Sequence, residues 1–212
     1  IVCVGMIVAF AGLATAQQLE PVVVVTDTAG PQQFPDIAYG SVGNEFLVVW
    51  EQVDDSENYD IYGRMLDGTT GEPKGDVFPI LVDDSVDLEA PEVAYNPDAD
   101  QFIVICRVAS TIDVYGQLVA NGDRVGTDFF IAKSSGPTFF DPAARARVAS
   151  IAYKPTGQEW FVGLTPNESA AYMFLASDGE PVTDLIQNLG SGTNPATAWS
   201  TGSDVGIVAY ED

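Results

Sequence analysis

Four short segments of this sequence share one register, and that repeat limits the fold more than any other feature. They are Pro35-Asp36-Ile37-Ala38-Tyr39, Pro91-Glu92-Val93-Ala94-Tyr95, Ala149-Ser150-Ile151-Ala152-Tyr153 and Pro195-Ala196-Thr197-Ala198-Trp199. In every copy an alanine directly precedes an aromatic residue. Seven residues after the aromatic come Phe46, Phe102, Trp160 and, degenerately, Gly206; four further on come Trp50, Cys106, Leu164 and Tyr210. The aromatics are 56, 58 and 46 residues apart, so the unit is about 57 residues long with a shortened last interval.

The copies agree further along. Asp60-Ile61-Tyr62-Gly63-Arg64 matches Asp113-Val114-Tyr115-Gly116-Gln117, with Tyr172 expected at the same place in the third copy. Glycine-bounded segments follow at Gly71–Gly75, Gly122–Gly126 and Gly179–Thr183, each leading into an apolar pair.

Each unit reads as four strands: the Ile-Ala-Tyr segment, the valine- and aromatic-rich Phe46–Glu51, the alternating Asp60–Leu66, and Val77–Val82. Turn residues separate them, at Gly40–Asn44 and at Gly71–Gly75. No run of about 12 residues keeps a helical period between caps. Short strands repeated at this interval form units that cannot bury their faces alone and must stack on neighbours. The expected fold is therefore all-β: a β-propeller-type array of four-stranded antiparallel blades, incomplete at about 3.5 blades. The blades are expected at about 27–82, 83–133 and 134–188, with a partial one at 189–212. Residues 21–26 stand before Pro35 much as Phe78–Val82 stand before Pro91, and read as a closing strand for the last blade.

Strands written like Phe46-Leu47-Val48-Val49-Trp50 followed by Asp60-Ile61-Tyr62-Gly63-Arg64 resemble repeats of secreted bacterial β-propeller proteins. The resemblance covers residues 21–212 and implies fold and secretion. Because that group is functionally mixed, it carries over no functional residues.

The chain opens on an uncharged apolar run, Ile1–Leu13, followed by Ala14-Thr15-Ala16, the small-x-small pattern of a signal-peptidase site. Residues 1–16 are expected to be a signal peptide lacking its basic start, and 17–212 the mature, secreted or cell-surface part. The apolar run is too short to span a bilayer. Asp and Glu number 31 against 8 Lys and Arg, a net charge of −23 that would repel nucleic acid and anionic membranes alike. Histidine is absent, which removes the commonest general base and transition-metal ligand. Cys106 would be the one cysteine of the mature chain; inside an apolar strand it reads as a buried small hydrophobe.

Two groups could carry chemistry. If the loop between strands two and three opens on the same side as the linker into the next blade, Asp54, Asp55, Glu57 and Asp60 join Asp83, Asp84, Asp87 and Glu89. Asp54, Asp55, Asp60, Asp83, Asp84 and Asp87 are the candidate ligands for calcium, a cation that takes oxygen donors, although their spacing is not that of an EF-hand. Asp36 and Glu92 hold equivalent inner-strand positions and could serve glycoside hydrolysis, but Ser150 and Ala196 replace them in later copies. Tyr59, Phe139 and Phe140 could stack on a glycan, and the insertion Phe139–Arg147 could hold a function of its own. Asn167-Glu168-Ser169 matches a glycosylation sequon.

Two functions are consistent with this. One is a non-enzymatic secreted module binding a glycan, a protein or a cation; the other is the N-terminal part of a propeller hydrolase acting on polysaccharide. Neither needs an organic cofactor.

Overall fold

The computed structural model describes residues 2–4, 22–53, 58–111, 113–132, 149–165, 169–182 and 187–211. The strand pair at the amino end is β1 (Val2–Val4) and β2 (Val23–Thr26), antiparallel to each other. The first blade is β3 (Gln32–Gly40), β4 (Glu45–Val53), β5 (Tyr59–Asp67) and β6 (Pro73–Leu81), hydrogen-bonded in that order. The second is β7 (Leu88–Asn96), β8 (Gln101–Val108), β9 (Val114–Ala120) and β10 (Asp123–Ala132). The third is β11 (Ala149–Lys154), β12 (Glu159–Leu164), β13 (Ser169–Leu175) and β14 (Gln187–Ser191). A two-stranded sheet, β15 (Thr193–Ser200) and β16 (Val205–Glu211), follows. Every ladder is antiparallel, as four consecutive strands joined by short turns require. The succession of four-stranded units matches the sequence expectation.

Alternation explains how the sheets stack. Side chains of a strand point alternately to its two faces, so a strand buried on both sides must be apolar throughout. In β4, Leu47 and Val49 join the core shared with the second blade, whereas Val48 and Trp50 face the other way. In β8, Phe102, Val104 and Cys106 look back to the first blade, while Ile103 and Ile105 look forward to the third. Trp160, Val162 and Leu164 of β12 close that second seam. On the opposite face of the first blade, Val25 of β2 packs with Val48, Trp50 and Leu66, and Arg64 Nη1 donates to the Val25 carbonyl at 2.7 Å.

The alanine–aromatic pair marks the end of each inner strand. The four-residue turn that follows ends on a residue with positive φ: Asn44 (48°), Asp100 (51°), Gln158 (54°) and Asp204 (51°). Asn and Asp tolerate this left-handed conformation best. Three of the aromatics secure the turn residue five positions on: Tyr39 Oη donates to Asn44 Oδ1 (2.8 Å), Tyr95 Oη to Asp100 Oδ1 (2.6 Å) and Trp199 Nε1 to Asp204 Oδ1 (3.1 Å). Gln158 takes the turn position in the third blade, and Tyr153 Oη donates instead to Asp98 Oδ2 of the second at 2.6 Å. The Val42 N–H donates to Tyr95 Oη at 3.2 Å, so the turns are also linked blade to blade.

The repeated proline marks a bulge. The residues before it, Phe34, Ala90 and Asn194, have φ of 49°, 51° and 50°, and the inner-strand register slips at each of these points. Proline has no N–H to give a ladder, so the bulge is where it costs least. Holding a non-glycine residue left-handed costs of order 1–3 kcal/mol, which the surrounding sheet must offset.

Two details differ from the sequence reading. The glycine-bounded segment is not wholly a turn: β6 begins at Pro73 and contains Gly75 at φ +88°, with residues 75–77 bulging opposite Arg64. Gly126, at φ +70°, begins the same bulge in β10 opposite Gln117. Arg64 Nε and Gln117 Nε2 each donate to a carbonyl at the bulge, those of Gly75 and Val125, at 2.9 and 3.0 Å.

Tyr172 is also displaced by one position. The ladder pairs Trp50 with Tyr62 and Cys106 with Tyr115, but Leu164 with Ala171, which aligns Tyr172 with Gly63 and Gly116. A one-residue shift reverses the face. A Cβ on Gly63 would meet Ile80 Cδ1 at 2.6 Å, and one on Gly116 would meet Phe129 at the same distance. In the third blade Tyr172 takes that position and packs at a tilt against Phe161 and edge-on against Phe174, at ring separations of 5.5 and 5.8 Å.

Candidate functional site

The loop between β4 and β5 and the linker between β6 and β7 meet at one end of the first blade. The Tyr59 N–H donates to Asp87 Oδ1 (2.9 Å), the Asp83 N–H to Asp60 Oδ1 (2.9 Å), and Asn58 Nδ2 to the Asp84 carbonyl (2.7 Å). Asp83 Oδ1 also accepts from the Ser85 hydroxyl and N–H, at 2.6 and 2.9 Å. Those two bonds hold the Asp83 carboxyl below the usual carboxylate range. Of the calcium candidates, then, Asp60, Asp83, Asp84 and Asp87 do converge. Asp60 and Asp87 tie the two loops together through their carboxylates, Asp83 and Asp84 through their backbone. Among the described residues, no three acidic or cysteine side chains are placed to hold a metal ion. Asp54 and Asp55, like Glu57, Phe139, Phe140 and the rest of the 139–147 insertion, lie outside the described residues, as do Asn167 and Glu168.

The same end of the inner strands carries a polar set, half-buried at Asp36 and buried further on. Asp36 Oδ2 accepts from the Val93 N–H of the next blade at 2.8 Å. Ser150, which takes the Asp36 position in the third blade, accepts from the Thr197 N–H at 3.0 Å. Glu92 holds the equivalent place in β7 and is buried. Glu51, at 1 % exposure, reaches across the first seam to accept from the Ala90 N–H at 2.6 Å, at the left-handed residue of the proline bulge. One repeat later its position is Arg107, whose Nη2 lies 2.6 Å from Glu89 Oε2 directly across the ladder. Both members of that pair are buried.

Sequence reasoning located Asp36 and Glu92 but missed Glu51 and Arg107. The available signal was a charged residue closing each otherwise apolar second strand, at the same place in two successive copies. Charges withdrawn from water cost several kcal/mol each unless paired and hydrogen-bonded, so their concentration at one end marks that end as the chemically distinctive one.

Cys106 lies beside this set but offers no nucleophile. It is 1 % exposed, and burial, with the charges of Glu51, Asp128 and Asp60, pushes its thiol far above the ordinary value. A thiol reagent at pH 8 should leave Cys106 unlabelled in the folded chain, as peptide mapping would show, and react with it once denaturant is added. Stoichiometric labelling of Cys106 itself in the folded protein within minutes would contradict this placement.

No protein-family model matches the chain, and no curated protein matches it in sequence. Solved structures do match it in shape. An α-L-arabinanase from Penicillium chrysogenum complexed with arabinobiose is similar at a TM-score of 0.57 and 12% identity, over 85% of this chain and 53% of its own. An α-L-arabinofuranosidase from Fusarium graminearum gives 0.56 and 11%, over 82% and 51%. A Hadza microbial sialidase gives 0.58 and 11%, over 85% and 42%. The chain thus spans about half the length of these structures or less. At such identities the likeness speaks to fold alone, and the fold is that of a β-propeller, with three four-stranded blades and the two-stranded sheet β15–β16 among the described residues.

Proposed function

We propose that this chain is part of a secreted β-propeller protein that acts on a polysaccharide, with the glycan engaged at the loop end of the inner strands. The observation that carries the reading is the set of carboxylates there, Asp36 and Glu92 on neighbouring inner strands with Glu51 beside them, next to the Arg107–Glu89 pair. Glycosidic cleavage runs on two carboxyl groups, one protonating the leaving oxygen and one activating water or attacking the sugar. Structures similar to this one include an arabinanase, an exo-β-1,3-galactanase and a sialidase, which gives the glycan class to try first.

A binding module without catalysis is the second reading. One observation favours it: Asp36 and Glu51 are each tied to a backbone N–H of the next blade, a structural use of a carboxylate. Incubating the protein with arabinan, β-1,3-galactan and sialylated glycans, and measuring released sugar, separates the two. Cleavage that falls about 100-fold or more in both Asp36→Asn and Glu92→Gln supports the hydrolase. If no polymer is cut while a glycan array shows binding, the hydrolase reading fails and the binding module stands.

A further inference from the structure

On the loop side of the first seam lies a cavity of about 280 Å³ that none of the roles above uses. Its floor is apolar: Leu81, Leu88 and Val108, the rim of the core between the first two blades. The Tyr115 ring forms a wall and is steadied edge-on by Phe130, at 5.6 Å between centroids and 76°. The opposite side is polar. Asp128 projects from the three-residue bulge of β10, and Arg124 Nη2 stands 3.5 Å from its Oδ1. Arg124 Nε donates to Gln117 Oε1 at 3.2 Å, which orients the guanidinium. Asp83, Ser110, Thr111 and Asp113 add further polar lining.

An apolar floor, one aromatic wall and a mixed rim of acceptors and donors is the environment a sugar ring needs. The C–H face of the ring lies on hydrocarbon and tyrosine, while its hydroxyls donate to carboxylates and accept from arginine. The volume falls just below the roughly 300–1,000 Å³ of sites for drug-sized ligands, which fits one ring rather than a chain. Asp83, Asp113 and Asp128 outnumber Arg124, so an acidic sugar is disfavoured.

We propose that this seam cavity, between the apolar rim of the first core and the Asp113–Asp128–Arg124 wall, binds a single neutral sugar residue. The proposal shares the carbohydrate reading given above but uses different residues, so either can fail alone. The test is titration of the full chain with L-arabinose, D-galactose, D-glucose and N-acetylneuraminic acid, followed by saturation-transfer NMR and calorimetry. Asp128→Asn and Arg124→Gln are the variants, and both side chains are solvent-exposed enough, at 50% and 40%, for the fold to survive their change. At least one neutral sugar should bind, with affinity reduced about tenfold or more in each variant. N-acetylneuraminic acid should not displace it. Absence of neutral-sugar binding, unchanged affinity in either variant, or preference for the acidic sugar would overturn the assignment. The cleavage assay with Asp36→Asn and Glu92→Gln reads the inner-strand carboxylates alone.

Discussion

Trp160→Ala should lower the free energy of unfolding by about 3–5 kcal/mol. Trp160 is fully buried in β12 and packs into the core shared by the second and third blades. Its cross-strand neighbours are Tyr153 on one side and Leu175 on the other, with the Tyr153 ring 5.4 Å away. Removing the indole therefore opens a cavity that two blades line, and neither can close it without breaking its own ladder. Trp50 is as deeply buried, yet it faces the four-residue strand β2, a short element that can settle into the space. Trp50→Ala should accordingly cost less than Trp160→Ala. Urea unfolding followed by far-ultraviolet circular dichroism measures both. A cost below about 1 kcal/mol for Trp160→Ala, the size of a surface substitution, would mean that the second seam is not packed as described.

Arg107→Met should cost about 3–5 kcal/mol, because it leaves the Glu89 carboxylate buried without its cation. The two side chains are only 2% and 11% exposed, so water cannot stand in for the lost partner. The informative companion is the double change Arg107→Met with Glu89→Leu. Replacing both charges by apolar groups of similar size removes the desolvation cost along with the attraction, and much of the lost stability should return. The double variant being as unstable as the single one would show that the loss comes from packing of the guanidinium stem rather than from the stranded charge.

The blade repeat was legible because its signals are local. Ala-Tyr followed seven residues later by Phe or Trp fixes two neighbouring strands and the turn between them, and the ladder pairs Tyr39 with Phe46 and Tyr95 with Phe102 as that spacing requires. Tyr172 was misplaced because the loop before the third strand changes length from copy to copy, and counting through a loop loses the register. The bulge at Gly75 was read as part of a turn, since glycine at positive φ signals both and only the opposing strand tells them apart. At the candidate site, Asp36 and Glu92 were visible as equivalent positions. What they bond to was not, because Val93 belongs to a different blade from Asp36. The same holds for Glu51 and Ala90.

Those seam bonds also set how far the chain must search while folding. Asp36 to Val93 spans 57 residues, Val42 to Tyr95 spans 53, Asp98 to Tyr153 spans 55, and Glu51 to Ala90 spans 39. Each link closes a loop of about one repeat or less, and none reaches past the adjacent blade. The entropy of loop closure is thus fixed by the repeat rather than by the length of the whole protein. Each new blade finds its partners in the one just completed, so assembly can advance along the polypeptide in equal steps, in the order in which a ribosome delivers them.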